Sequence, residues 1–311
     1  MSRLFISLFG IPKIQGKEVS KTSLDKVKAQ ELFFFLILHR HKFHTRETLS
    51  ALLWHEIDST RAKRYLRKVL WQLQTALKAK DLSSNSTTIS KILRIDTNTV
   101  GINVQEPFWL DTEILEQAFN LCEGKIGAHL KVHEIELLNA AIEVYQADLL
   151  EGWYQDWCVL ERERLQRMFL IILDKLIEYC TYQNRFDKGV ILGNRVLSYD
   201  AAHERTHRHL MRIYYLAGDR TKSIRQFEKC RSIIEKELGV PPSKRTIHLL
   251  QKIQNEQFTV DPTKLNSNRK LDQSHNLSET LKSLGELQDD LIILQHKVQQ
   301  EIQSVRSILA S

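Results

Sequence analysis

Residues 60–78, TRAKRYLRKVLWQLQTALK, show the clearest separation of apolar and polar positions in the chain. At 100° per residue, the apolar side chains fall on one arc of a helix, slightly less than half of its circumference. We therefore predict an amphipathic helix over Thr60–Lys78 that buries this arc in a core. The arc contains Ala62, Tyr65, Leu66, Val69, Leu70, Leu73, Ala76 and Leu77.

The opposite face of this helix is cationic and contains no acidic residue. A solvated helix face ordinarily mixes both signs of charge, because opposite charges one turn apart stabilise the helix. A face with cations alone favours a polyanionic partner, and a helix fits the major groove of B-DNA. The alternative is a basic surface helix that binds nothing. The face contains Arg61, Lys63, Arg64, Arg67, Lys68, Trp71, Gln72, Gln74, Thr75 and Lys78.

The elements predicted around this helix follow the order of a winged helix, in which the third helix enters the major groove and a closing hairpin contacts the backbone or the minor groove. Thr45 is the expected N-cap of the second helix, and Asp58 or Ser59 that of the third. We predict this DNA-binding domain over residues 1–106. Its other elements are strands Leu4–Phe9 and Ile11–Val19, helices Lys26–Arg40 and Arg46–Trp54, and hairpin strands Ile89–Ile95 and Thr99–Val104 around a turn at Thr97–Asn98.

Residues 107–258 form a second predicted domain that is almost entirely helical. A shift of 34 residues places Leu176 on Leu210, Gly189 on Ser223 and Asn184 on Gly218. This is the period of tetratricopeptide repeats, whose stacked helix pairs form concave binding surfaces. The alternative is a plain helical bundle. The predicted helices are 111–122, 131–147, 156–182, 186–198, 203–217, 220–237 and 243–257.

A polar linker, residues 259–276, precedes a heptad pattern over residues 277–311. Nearly five heptads predict a coiled coil that supports self-association. The alternatives are a helix that packs back on its own chain and a flexible tail. The apolar seam residues expected to associate are Leu277, Leu281, Leu284, Leu291, Val298, Ile302, Val305 and Leu309; Gln288 and Gln295 also lie in the seam.

The charge is unevenly distributed along the 311 residues. The whole chain carries a net charge of +7, but residues 1–106 carry +9 and the remainder −2. A localised positive field supplies affinity for nucleic acid. The four cysteines are far apart, which indicates free thiols in a reducing compartment. With no signal peptide or membrane span recognisable in the sequence, we expect a soluble protein of the cytoplasm.

We expect no enzymatic activity, cofactor or metal. The sequence contains no nucleophile elbow, no phosphate-binding loop and no paired catalytic carboxylates in a glycine-rich context. Two groups of histidines could suggest a metal site, but no cysteine or supporting pattern accompanies them. They are His39, His41 and His44, and His203, His207 and His209.

Several phrases resemble the SARP class of bacterial transcriptional activators, which combine an OmpR-type winged helix with a tetratricopeptide-like bacterial transcriptional activator domain. The resemblance covers residues 3–255 and is most specific in the second domain. In the first domain it includes ALLW at 51–54 and the basic helix, and at the junction PFWLDTEILEQAF at 107–119. In the second domain it includes AIEVYQADLLEGWYQDWCVLERERL at 141–165, RTHRHLMRIYYLAGDRTKSIRQFEKC at 205–230 and KELGVPPSKRT at 236–246.

This resemblance implies binding to promoter repeats and activation by recruitment of RNA polymerase. By position, the helix Thr60–Lys78 would read DNA and Ile92–Val104 would form the wing. Trp71 could contact a thymine methyl group, contact a partner protein or be partly buried by the wing. The predicted DNA contacts are Arg61, Lys63, Arg64, Arg67, Lys68, Trp71, Lys78, Thr97 and Asn98. The turn expected to face polymerase is His55, Glu56, Ile57 and Asp58.

We therefore predict a mainly α-helical, sequence-specific regulator of transcription, most simply an activator. Its expected partners are double-stranded DNA, RNA polymerase and further copies of the chain, in the bacterial cytosol near the nucleoid. The alternative is a helical-repeat scaffold with a basic domain that binds nucleic acid without sequence preference. A steep salt dependence together with sequence preference on duplex DNA would distinguish the two.

Overall fold

The computed structural model describes residues 4–15, 27–77 and 92–256. These residues form a mainly helical protein with a small β component, as predicted, and the strands lie in two three-stranded sheets. Lys78, the linker and the heptad segment lie outside the described residues. The strands are β1 (Leu4–Ser7), β2 (Lys13–Gln15), β3 (His44–Thr45), β4 (Leu93–Ile95), β5 (Thr99–Ile102) and β6 (Phe108–Leu110). The helices are α1 (Val27–Leu38), α2 (Arg46–Leu53), α3 (Ser59–Leu77), α4 (Asp111–Cys122), α5 (Val132–Val144), α6 (Asp156–Tyr182), α7 (Phe186–Tyr199), α8 (Glu204–Leu216), α9 (Arg220–Leu238) and α10 (Lys244–Gln254).

Helices α1 to α3 and the sheet β3-β5-β4 form the winged helix. Helix α1 is buried over most of its surface, because its run LFFFLIL places apolar groups on every side. Thr45 caps α2 as predicted, since its hydroxyl accepts a hydrogen bond from the Thr48 N–H at 3.1 Å. The two-residue strand β3 was not predicted. These two residues form a strand because they pair with β5 of the wing, where His44 lies opposite Val100.

A second sheet, in the order β2-β1-β6, joins the first residues of the chain to the helical domain (α4–α10). Strand β1 pairs in parallel with β6, so that Leu4 lies opposite Phe108. Strand β6 was also absent from the sequence-based assignment, because three residues carry too little periodicity to indicate a strand. The carboxylate of Asp111 then accepts hydrogen bonds from the Leu8 and Phe9 N–H groups at 2.7 and 2.9 Å.

Side-chain contacts extend this junction between the winged helix and the helical domain. Phe34 and Phe35 of α1 form T-shaped ring pairs with Trp153 and Trp157 of the helical domain, with ring centroids 5.5 Å apart in both pairs. A single apolar core runs from β1 through α1 into α6. The winged helix is therefore fastened to the helical domain by strand pairing, a buried carboxylate and ring packing.

The 34-residue repeat is visible in the main chain of α6–α7 and α8–α9. The turn inside each helix pair contains a residue with a positive φ. These residues are Asn184 (56°) and Gly218 (83°), which lie one period apart. The hydrogen bond from Arg185 N–H to Cys180 C=O (2.8 Å) has its counterpart from Asp219 N–H to Tyr214 C=O (2.9 Å). These helices therefore stack as repeats, which agrees with the tetratricopeptide prediction.

Predicted and observed helix bounds in this region agree within three residues at each end. One aromatic residue, however, lies elsewhere than the periodicity predicted. Tyr65, expected on the buried arc, is 43 % exposed, because it lies at the edge of that arc, where its ring centroid is 5.9 Å from that of Trp54. In the helical domain, Tyr154 is 79 % exposed. No helix among the described residues is sufficiently long and apolar to cross a bilayer.

Candidate nucleic-acid interface

The basic helix α3 begins one residue before the predicted start, at Ser59. Asp58 caps it, because its carboxylate accepts hydrogen bonds from the N–H groups of Thr60 and Arg61 at 3.1 and 3.4 Å. A carboxylate at a helix N-terminus satisfies free N–H donors and complements the helix dipole. Asp58 therefore holds the first turn of α3, from which the cationic face extends.

One face of α3 packs on α1 and α2. Its buried residues are Ala62, Leu66, Val69, Leu70, Gln72, Leu73, Ala76 and Leu77. Seven of these eight are apolar residues, and the eighth, Gln72, is buried although the sequence pattern assigned it to the polar face. Burial of this face leaves the opposite face of the helix open to solvent.

The exposed face of α3 contains the residues predicted to contact DNA. They are Arg61, Lys63, Arg64, Arg67, Lys68 and Trp71. Lys63 forms an ion pair with Glu47 of α2 at 3.2 Å, and both side chains are largely exposed. Among the described residues, the other four cations of this face have no acidic partner within 4.0 Å. Four guanidinium or ammonium groups are therefore available to phosphate or base oxygens.

Trp71 lies in the middle of this face and is 64 % exposed. A partner that covered this indole ring would remove a large apolar area from water. Its neighbour one turn on, Thr75, donates its hydroxyl to the Trp71 carbonyl at 2.8 Å. Of the three roles considered for Trp71, partial burial by the wing is not observed among the described residues.

The wing tip is linked to the basic face through the first turn of α2. Thr97 and Asn98 form an exposed turn between β4 and β5. The Asn98 carbonyl accepts the Arg46 N–H at 3.0 Å, and the next residue, Glu47, holds Lys63. The structure thus brings the predicted wing residues and the predicted helix residues to one side of the domain.

Two further cations beside the wing were not predicted. Arg94 of β4 is exposed, stacks over the Phe43 ring at 5.3 Å and pairs with Asp96 at 3.4 Å. The Arg46 guanidinium donates to the Asp96 carbonyl at 3.3 Å. Both residues are isolated cations in the sequence, and only the strand register of the wing places them beside its tip.

The turn His55–Asp58 lies between α2 and α3 and is exposed. His55 Nε2 lies 3.6 Å from a carboxylate oxygen of Glu56, and the Ile57 N–H donates to the Trp54 carbonyl at 3.2 Å. Ile57 is 38 % exposed. The turn is thus an ordered, solvent-facing segment beside the start of the basic helix.

The histidine groups take part in packing and hydrogen bonding. The His39 ring stacks on Phe35 with centroids 4.3 Å apart and lies 5.8 Å from the His44 ring. Burial and the neighbouring His39 and Lys42 lower the pKa of His44. His207 is fully buried between the Ala201 carbonyl and the Gln226 amide, at 2.9 and 2.7 Å. Within the described ranges, no cluster of three or more potential metal ligands is found.

Comparison with known families and structures agrees with this arrangement. Residues 110–254 match the family described as the bacterial transcriptional activator domain. A solved structure titled "Mycobacterium tuberculosis EmbR in complex with low affinity phosphopeptide" superposes with a TM-score of 0.70 at 14 % sequence identity. The match covers 89 % of this chain and 72 % of that chain, and at this identity it shows a shared fold. A search of curated proteins finds no match.

The two matches cover different parts of the chain. The family match covers α4 to α10, and the structural match also includes the winged helix. The resemblance to SARP-type activators inferred from the sequence is thereby confirmed. Residues 110–254 therefore form a bacterial transcriptional activator domain, and this domain and the winged helix together share the fold of the EmbR structure.

Proposed function

We propose that this regulator binds duplex DNA with sequence preference through α3 and the wing, and that it activates transcription by recruiting RNA polymerase. The observation that carries the proposal is the exposed face of α3, where four cations lack acidic partners among the described residues. Release of counterions from DNA phosphates would supply most of the non-specific affinity. Base edges in the major groove would supply the preference.

The roles within the interface follow from position. Arg64 and Arg67 lie one turn apart near the middle of the exposed face, so they are the best placed to reach base edges. Arg61 near the start of α3, and Thr97 and Asn98 at the wing tip, are placed to contact the backbone. Arg46 and Arg94 would add phosphate contacts beside the wing. An arginine that is bidentate to guanine is worth about 1–3 kcal/mol of discrimination.

Recruitment of polymerase is assigned to the exposed turn His55–Asp58. The turn lies next to the start of α3, so a protein bound there would lie close to DNA. Recruitment needs contact surfaces only, and we propose no chemical step on a substrate. We further propose that the regulator works in the cytoplasm and that the heptad segment 277–311 joins copies of the chain.

Selection of bound duplexes from a random pool, followed by titration of the winning sequence at several salt concentrations, tests the proposal. We expect an enriched motif, arranged as a repeat, whose binding weakens steeply with salt. Strong, salt-dependent binding without enrichment would contradict sequence preference and favour the scaffold alternative. Light scattering before and after deletion of residues 277–311 tests self-association, and an unchanged mass would reject it.

A further inference from the structure

A second cationic cluster lies in the helical domain, away from α3. Helix α8 carries Arg205, Arg208, His209 and Arg212, at spacings of three, one and three residues. Such spacing places all four side chains on one side of the helix. They lie beside α6, which carries Asp174 and Glu178, and beside the start of α10. These are the first helices of successive repeats, whose side chains line the concave surface of a repeat stack.

Two of the four side chains are fully engaged within the domain. Arg205 pairs with Asp174 at 3.3 Å and with Glu178 at 2.8 Å. Arg208 donates to the Thr246 hydroxyl at 3.0 Å and lies 3.5 Å from Glu204. These contacts fasten α8 to α6 and to α10, so Arg205 and Arg208 have structural roles.

Arg212 and His209 have no hydrogen-bond or ion-pair partner among the described residues, although both are partly buried. The charge of the Glu178 carboxylate acts on Arg212, but the two oxygens of Glu178 already accept hydrogen bonds from Arg205 and from the Gly127 N–H, at 2.8 and 2.9 Å. Burial is also the main cause that lowers the pKa of His209, to about 3, so this imidazole is neutral at physiological pH. The neutral His209 ring therefore offers one N–H donor beside the unpaired guanidinium of Arg212.

An unpaired, partly buried guanidinium lowers the stability of the fold, because it has lost water without gaining an acceptor. It is therefore expected to persist where it serves a ligand. A guanidinium fork matches a carboxylate with two parallel hydrogen bonds. The nearby Asp174 and Glu178 disfavour a dianion such as phosphate more strongly than a monoanion. The geometry points to a carboxylate.

We propose that Arg212, with His209 beside it, is a binding site for a carboxylate group of an acidic peptide segment on the concave surface of the helical domain. This site is separate from the DNA-binding face of the winged helix. It would give the regulator a second partner, a protein, and would leave α3 free for DNA.

The test uses the full chain and a capped peptide of alternating glutamate and glycine, with its glutamine counterpart as the uncharged probe. Binding is followed by titration calorimetry at low salt. We expect the glutamate peptide to bind and Arg212→Gln to weaken binding at least tenfold. Arg231→Gln removes an equally charged side chain from the exposed face of α9 and should change affinity less than twofold. Equal weakening by both variants, or no binding by the wild type, would overturn the proposal.

Further measurements distinguish this site from the alternatives. Arg64→Ala/Arg67→Ala should retain the peptide, whereas loss of the peptide in that variant would assign it to α3 and overturn the proposal. Inorganic phosphate should compete less well than acetate at equal concentration, and the reverse order would overturn the choice of carboxylate. The melting temperature of Arg212→Gln should equal or exceed that of the wild type, and its DNA affinity should be unchanged. A clear loss of stability would instead assign Arg212 to the structure.

Discussion

The Arg40 guanidinium lies 2.6 Å from a carboxylate oxygen of Glu116, across the junction between the winged helix and the helical domain. The other Glu116 oxygen accepts from Arg164 at 2.7 Å, and Arg164 also holds Glu161. The Arg40 side chain is only 4 % exposed. A buried cation with one carboxylate partner makes this contact a point where the junction can be weakened selectively.

Glu116→Gln should lower the free energy of unfolding by about 3 kcal/mol, because it leaves the buried Arg40 without a counter-charge. Chemical denaturation of the full chain measures the change. Glu123→Gln, at the exposed end of the same helix, is the matched control and should change stability by less than about 0.5 kcal/mol. A similar loss in both variants would contradict the role assigned to the junction pair.

The effect of Glu116→Gln should depend on pH. Burial alone would raise the pKa of Glu116, but hydrogen bonds from Arg164 and Arg40 outweigh burial and hold the pKa below its usual value. A carboxyl whose pKa is depressed by folding stabilises the fold above its unfolded pKa and loses this contribution as the pH falls through its folded pKa. The stability difference between wild type and variant should therefore shrink below about pH 4.3. A difference that grows on acidification would refute this linkage.

Asn184→Gly should stabilise the helical domain by up to about 1 kcal/mol, because Asn184 adopts a positive φ that glycine reaches without steric cost. Gly218→Ala, one repeat later, is the reciprocal change and should destabilise by a similar amount. Thermal unfolding of both variants checks the pair. Shifts of the same sign would contradict the equivalence of the two turns.

Gly127→Ala should destabilise the contact between the short 3₁₀ turn Gly127–His129 and α6 by about 1–3 kcal/mol. An added Cβ would lie 2.3 Å from the Lys175 carbonyl oxygen, which belongs to a helix backbone and cannot move aside. At Gly193 the added Cβ meets only the side chain of Leu210, at 2.7 Å, so Gly193→Ala should cost less. Denaturation midpoints of the two variants decide the order, and the reverse order would be inconsistent with this packing.

Arg64→Ala/Arg67→Ala should reduce specific DNA affinity by about two orders of magnitude, because each arginine is assigned a base or phosphate contact. The slope of log affinity against log salt should fall by about 2. Electrophoretic shift titrations measure both quantities. The control, Arg225→Ala/Lys229→Ala, removes the same charge from α9 and should leave both nearly unchanged. Wild-type affinity in the first variant would reject α3 as the recognition helix.

The local parts of this architecture could be predicted from the sequence. The periodicity of 60–78 identifies α3 and its two faces, Thr45 marks the start of α2, and the 34-residue shift finds the equivalence of Asn184 and Gly218. Each of these signals is contained within a few turns of chain or in a repeat of it. The charge of the exposed α3 face could likewise be read directly from its residue types.

The remaining parts depend on contacts between distant segments. Strand β6 is recognised only by its pairing with β1, more than a hundred residues earlier. Arg46 and Arg94 both contact Asp96 beside the wing tip, where strand register places them. The carboxylate of Glu178, whose charge acts on Arg212, is already occupied by Arg205 and Gly127. The pattern of a single sequence does not show which distant segments of the chain contact each other, so these features could be identified only from the structure.

If α3 binds duplex DNA as proposed, the β1–β6 pairing has a consequence for the orientation of the helical domain on DNA. Since the chain start, α1 and α4 are fastened together, turning α3 about the duplex axis also turns the helical domain. On tandem DNA repeats, the number of base pairs between sites then sets the angle between neighbouring helical domains. About five extra base pairs would move one domain to the opposite side of the duplex, and about ten would return it. Helical phase, as well as sequence, would then decide whether two bound copies can meet.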